Sequence, residues 1–366
     1  MRVIVAFWPG HYSTASDALP SSGTIADMST VFPTSAAASR LPTPHLQLAF
    51  AACSGVSWLT TLKELPAANT RYFAKLLQGM QLVATDTSDA LSMSPPHERA
   101  LARVHGLDSD GHRDGLIPWA AWEHEQLTQH EPGEETRARS WAYVSPCHWL
   151  MGREHATLTD PSALGLSEAE SRTLMAAMQA YFESDGIRLH YAAPQRWLAE
   201  GEVFKGLPTA SLDRVLGRSV DAWLPVGHNG KTLRRLQNEM QMLLYTHPIN
   251  DARTSQRQLP VNSIWFSGTG DLPAQPPSQP ARLSAPRTLA DAALRDDWQA
   301  YAVAWGALDA VEAKDWLARQ SVGEVVRLTL CGERSALTFE SSPRSLRGRL
   351  AQLLKPKPLL DLLETL

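Results

Sequence analysis

Charge of one sign is in short supply in this chain. Thirty-four Lys and Arg against 38 Asp and Glu leave a formal net charge of −4 over 366 residues, with both signs mixed along the sequence. No basic face for nucleic acid and no cationic arm for a membrane surface is expected. Cysteine is scarcer still. Cys53, Cys147 and Cys331 form no Cys-x-x-Cys pair, which suits a reducing, cytoplasmic setting rather than a disulfide framework. No apolar run approaches the length of a membrane span. Histidine occurs 12 times, yet none follows His247. The last third of the chain can therefore contribute no imidazole to a metal.

What is present fits a globular α/β protein. At 43% hydrophobic and 20% charged residues, the chain can bury one large core or two smaller ones, and two domains are expected. The β-branched run at residues 2–7, ending at Pro9-Gly10, reads as a buried parallel strand. Residues 11–44, rich in Ser, Thr, Ala and Pro, read as a long irregular segment. Residues 46–62 and 73–83 carry apolar side chains at roughly helical spacing. Pro95-Pro96 opens a short helix that Gly106 can stop, and residues 128–139 read as an exposed loop.

The middle is patterned differently. Ser167 and Glu170 form a capping box, because each can satisfy a free backbone donor of the other. The helix that follows places Leu174, Met178 and Phe182 on one face. Ile187, Leu189 and Tyr191 then alternate as a half-buried strand does. A second amphipathic helix covers residues 232–245. Beyond it, residues 271–286 are too rich in proline for helix. Leu294, Trp298, Tyr301, Trp305 and Leu308 mark another helix, and residues 325–330 read as a buried strand.

Residues 247–270 concentrate the polar side chains most suggestive of a site. His247-Pro248 stops one helix, and Asn250, Arg253, Arg257 and Asn262 follow before an apolar strand and a Gly268-Thr269-Gly270 exit. A guanidinium fork fits phosphate or carboxylate bidentately, so Arg253 with Asn250, Arg257 and Asn262 forms a candidate anion cradle. His148, beside Cys147, is a further candidate contact. Cys331-Gly332-Glu333-Arg334 follows an expected strand, where open α/β sheets place their ligands.

The run from Asn238 to Gly270 resembles the archaeal-type cofactor-independent phosphoglycerate mutases. Leu243-Leu244, His247-Pro248-Ile249-Asn250, Arg253, Leu259-Pro260, Asn262-Ser263-Ile264-Trp265 and Gly268-x-Gly270 carry the resemblance. Leu166 to Glu170, Asp185-Gly186-Ile187, Gly217 and Trp223-Leu224-Pro225 are similar to motifs of that family's inserted domain. The resemblance implies an alkaline-phosphatase-like α/β core with a mainly parallel sheet flanked by helices. A smaller α+β domain interrupts it, giving a core at 1–145 and 263–366 and an insertion at 146–262.

It also implies two divalent metals such as Mn, held by Asp and His, and a Ser that accepts the phosphoryl group. Those positions are altered here. The first strand ends Phe7-Trp8-Pro9-Gly10 where the family has an Asp before a Gly. The Ser-Asp pair falls near His97-Glu98, with Ser94 three residues out of register. The late Asp-His pair reads Gly332-Glu333, and Pro146 and His148 flank Cys147 where the family has Arg and Asn. The expectation is a retained fold that holds no metal or other cofactor and has lost two-metal phosphoryl transfer. Such a protein would bind a small phosphorylated or carboxylated metabolite, or a protein partner, in a regulatory role. The alternative is an active mutase or phosphatase in which Ser94, His97, Glu98 and Glu333 supply substitutes.

Overall fold

The computed structural model describes residues 43–107, 113–128, 139–273, 282–341 and 359–366. The expected first strand, most of the segment after it, and parts of the expected loops at 128–139 and 271–286 lie outside the described residues.

The described chain enters on a strand. β1 (His45–Leu48) is buried along its whole length, as an interior strand covered on both faces is. The helical spacing read over 46–62 breaks after it. Gly55, at φ 103, ends the intervening loop and begins α1 (Val56–Glu64), which turns Trp58 and Leu62 inward. α2 (Arg71–Gln78) likewise stops short of the expected residue 83. Gly79 donates its N–H to Leu76 and Leu77, and the chain becomes β2 (Met80–Thr87). α3 (Pro96–His105) runs as expected from Pro96 to Gly106, which adopts the left-handed φ of 69 that glycine permits without a Cβ clash. α4 (Trp119–Leu127) follows.

Next come β3 (Trp141–Cys147) and the hairpin of β4 (Trp149–Met151) with β5 (Ala156–Leu158). α5 (Glu168–Ser184) carries the expected capping box, Ser167 with Glu170. β6 (Arg188–Ala193) and β7 (Arg196–Glu200) pair antiparallel. After them come the short α6 (Leu212–Val215), α7 (Gly227–Tyr245) and α8 (Pro248–Ser255). The last part supplies β8 (Ser263–Gly270), β9 (Leu283–Ser284), α9 (Thr288–Ala293), α10 (Trp298–Leu308), α11 (Lys314–Ser321), β10 (Arg327–Cys331), β11 (Ser335–Ser341) and α12 (Leu359–Leu363). A single π-helical turn at Asp309–Ala313 joins α10 to α11.

Two larger sheets organise these elements. One has the order β2-β11-β10-β1-β9. β1 is parallel to β10 and β9, whereas β11 is antiparallel to both β10 and β2. The sheet expected to be mainly parallel is therefore mixed among the described residues. The tight return at 332–334 accounts for this, since a turn that short can only reverse a strand. Leu46, Leu48, Leu328 and Leu330 pack with Trp58, Phe73, Tyr301, Trp305 and Trp316 from the flanking helices. Each such aromatic side chain contributes roughly 1.5–3 kcal/mol of burial free energy.

The other sheet, β6-β7-β3-β8, is antiparallel throughout. α5 and α7 cover it, with Phe182, Leu233, Met240 and Leu244 against Val144, Trp197, Ile264 and Phe266. Both β3 and β8 pair here, so this unit's strands reach from Trp141 to Gly270. The protein is thus a mixed α/β molecule with two packed sheets. No helix among the described residues is long and apolar enough to cross a membrane.

Candidate functional site

α3 packs against β1, β10 and β11, and its first turn begins at the carboxyl-end side of that sheet. The Gln47 amide donates to the His97 carbonyl at 2.7 Å, and the His97 ring lies 5.5 Å from that of Phe50. The segment before α6 is pinned alongside. Thr209 N–H donates to the Gly115 carbonyl and Ser211 N–H to the Met93 carbonyl, both at 3.0 Å. Ser211 caps α6, its hydroxyl accepting from Asp213 N–H at 3.2 Å. That fixes Asp213 opposite His97.

The result is a buried ionic cluster. His97 Nε2 lies 2.9 Å from Asp213 Oδ2, which places the ring proton on Nε2. Arg287, just after β9, donates Nη1 to Oδ2 and Nη2 to Oδ1 of Asp213, each at 3.0 Å. It reaches Asp291 at 3.3 Å through Nε. Ser211 Oγ donates to Glu98 Oε1. Burial alone would raise the Asp213 carboxyl, but the Arg287 charge and the His97 contact outweigh it and hold the group well below the usual carboxylate range. Glu98 goes the other way: desolvation pushes its carboxyl up, and the adjoining Asp213 charge adds to this. Two carboxylates side by side with opposite shifts are the pattern of a tuned site.

His97, Glu98 and Asp213 offer ligand atoms within 4.8 Å of one another. Among the described residues they form the one cluster of this type, and the donor set can be tested against the two cations that the family resemblance implies. It does not fit them. Both Asp213 oxygens are engaged by a guanidinium, its Oδ2 also receives His97, and Glu98 holds Ser211. Charge is also balanced already, because Arg287 stands where a cation would neutralise Asp213. His97 Nδ1 is buried without a hydrogen-bond partner, which leaves one free imidazole nitrogen rather than the Asp and His set of a bimetal centre.

The other expected site residues are dispersed. Ser94 is 3% exposed, and its hydroxyl accepts from Gly115 N–H at 2.9 Å. Glu333 sits after β10, with Oε2 3.0 Å from Ser54 Oγ and 3.5 Å from Arg218. The polar side chains of 247–262 bond largely within the fold. Asn250 donates to the Leu244 and Val261 carbonyls and accepts from Val261 N–H. Arg253 is 1% exposed and binds the Leu259 carbonyl, Glu170 and the Leu164 carbonyl. Asn262 brackets the backbone of Trp149, His148 binds the Pro260 carbonyl, and Arg257 is exposed at a φ of 59. These side chains tie the antiparallel unit together. Burial pushes the Cys147 thiol far up, so no thiolate forms beside His148.

Sequence reasoning missed Asp213, Ser211 and Arg287. The Ser-x-Asp helix start at 211–213 was a usable local signal, but nothing local links Asp213 to a histidine 116 residues earlier or an arginine 74 residues later.

No family model matches the chain. Among solved structures, a Pyrococcus horikoshii protein superposes with a TM-score of 0.42 at 11% identity, covering 83% of this chain and 88% of that one. The cofactor-independent phosphoglycerate mutase of Thermoplasma acidophilum gives 0.30 at 12% identity, covering 82% and 90%. Among curated proteins, the 2,3-bisphosphoglycerate-independent phosphoglycerate mutase of Methanosarcina mazei is 28% identical over 126 residues, 34% of this chain and 32% of that protein. A probable mutase of the same type from Geobacter sulfurreducens is 31% identical over 117 residues, 32% of this chain and 29% of that protein. The matched stretch thus spans about a third of those relatives. Over that stretch, the chain is a distant homologue of the cofactor-independent phosphoglycerate mutases.

Proposed function

We propose that this is a phosphoglycerate-mutase-like protein that no longer performs two-metal phosphoryl transfer and binds a small phosphorylated or carboxylated metabolite in a regulatory role. Its architecture is taken as an alkaline-phosphatase-like core interrupted by the antiparallel unit of residues 141–270. The observation that carries the reading is the bidentate Arg287–Asp213 pair at 3.0 Å. A guanidinium with two bonds to the one carboxylate that faces the histidine supplies positive charge permanently, and it has no open coordination position. The site lacks the labile ligand sphere that activates a nucleophile.

A second reading has its own support. His97 Nδ1 is free of partners and lies in a cluster whose donor atoms fall within 4.8 Å, which favours an active mutase or phosphatase with a rearranged site. One preparation separates the two. Protein supplied with Mn is assayed for interconversion of 3- and 2-phosphoglycerate and for phosphatase activity, and thermal shifts are recorded with phosphoglycerates alone. The first reading expects no turnover and a shift on adding the anion. Turnover lost on His97→Gln would establish the second. Absence of both turnover and any anion-induced shift would leave a protein partner as the occupant.

A further inference from the structure

β1 and β10 are parallel neighbours, so the chain segments leaving their carboxyl ends lie side by side. Ser54 follows one and Glu333 the other. The Glu333 carboxylate receives Ser54 Oγ at 3.0 Å, Ser54 N–H at 3.4 Å and Arg218 Nη2 at 3.5 Å. Two of these three contacts lie at or beyond the outer limit of useful hydrogen-bond length. The Glu333 side chain is 25% exposed. A carboxylate is thus loosely seated on a hydroxyl, a backbone N–H beside the start of α1, and a guanidinium, which is the donor set that grips oxyanions.

Behind this seat the charge is uneven. Arg214 is 2% exposed. Its Nη1 donates to the Glu333 carbonyl at 2.6 Å and its Nη2 meets Ser88 Oγ at 3.4 Å, while Nε has no hydrogen-bond partner. Among the described residues no carboxylate forms an ion pair with it. The neighbouring Arg99 is paired with Asp86, so its charge repels Arg214, and the Glu98 and Asp114 charges act more weakly the other way. Burial first, then the Arg218 and Arg99 charges, bring Arg214 down to about 10. A guanidinium held this deep without an ion-pair partner is costly, and an incoming anion would offset that cost. Beside Ser54, a Cβ built on Gly55 would meet nothing within 4 Å, so the chain there borders open space.

We propose that Ser54, Arg218 and Arg214 form a seat for a small oxyanion, phosphate monoester or carboxylate, and that the Glu333 side chain occupies it as a displaceable stand-in. The proposal rests on the anion-binding reading above and gives that reading an address. It also makes an unusual demand: removing an acidic residue strengthens binding of an anion, and removing a basic residue beside it weakens binding.

Inorganic phosphate is titrated calorimetrically into the full chain at constant ionic strength and neutral pH. Glu333→Gln is expected to tighten phosphate about tenfold and Arg218→Gln to weaken it about tenfold, both modest for a unit charge at hydrogen-bond range near the surface. Arg218 is 40% exposed, so its variant keeps the fold, whereas Arg214 is too buried to serve as the test. Unchanged phosphate affinity in both variants overturns the seat, as does weaker binding in Glu333→Gln. If phosphoglycerates still shift the melting temperature in both variants by the wild-type amount, the seat fails and the anion-binding reading survives. If no anion binds any of the three proteins, both fail.

Discussion

Arg287→Leu is the most informative single change. It strips two 3.0 Å bonds from Asp213, a carboxylate whose side chain is only 4% exposed, and removes a guanidinium that is itself 14% exposed. Two unit charges about 4 Å apart attract by about 4 kcal/mol at an effective dielectric of about 20, and breaking a buried pair from one side typically costs about 3–5 kcal/mol. The expected loss of unfolding free energy is therefore roughly 4 kcal/mol, because Asp213 is left charged against His97 alone. Asp213→Asn in the same chain should recover most of it, since the amide oxygen can still accept from His97 Nε2 and no buried charge remains. Urea unfolding of the wild type, the two single variants and the double variant, followed by tryptophan fluorescence and circular dichroism, closes the cycle. A cost below about 1 kcal/mol for Arg287→Leu, or no coupling between the two sites, would refute the view that the guanidinium neutralises this cluster.

Other consequences follow from the same structure. Glu98 carries a carboxyl raised above its unfolded value, so the folded state binds that proton more tightly and stability falls as pH rises between the two values. Glu98→Gln should flatten this part of the pH–stability profile and stabilise the protein above the window; an unchanged profile would contradict the assignment. Asp213 has the opposite sign, being depressed, so its contribution is present above the ordinary aspartate range and is lost only as pH falls through the lowered value. Arg253→Ala should cost roughly 3 kcal/mol, at about 1 kcal/mol for each of its three hydrogen bonds, and should leave anion-induced thermal shifts intact, read by calorimetry with and without phosphoglycerate. Ser94→Ala should destabilise by about 1–3 kcal/mol by leaving the Gly115 N–H unpaired, with any residual turnover unaffected in a coupled mutase assay.

Local signals in the sequence were read well, because the physics that makes them is local. The Ser167–Glu170 capping box and the Pro96 start and Gly106 stop of α3 are present, and the alternation expected at β6 holds from Ile187 to Leu189 but not at Tyr191, which is half-buried like His190. β1 and β2 were harder. Leu46 and Leu48 before α1 continue its apolar spacing, and only pairing with β9 and β10 makes His45–Leu48 a strand. β2 exists through its ladder with β11, more than two hundred residues away. In the polar stretch at 247–262, Asn250 and Arg253 have the composition of a ligand site and use donors on internal carbonyls, and composition does not record where hydrogen bonds go. At the site, His97 and Glu98 were legible as a helix-start pair. Asp213 and Arg287 were not, since tertiary folding alone brings them to it.

The central claim is that a guanidinium has taken the place of metal at this site. Metal content and mutase turnover of wild type and Arg287→Leu, both prepared with excess Mn and desalted, test it most directly. The account predicts no stoichiometric Mn and no turnover in the wild type, and measurable Mn uptake in Arg287→Leu once Asp213 is unmasked beside Glu98 and His97. Two equivalents of Mn in the wild type, with phosphoglycerate turnover that Asp213→Asn abolishes, would contradict it.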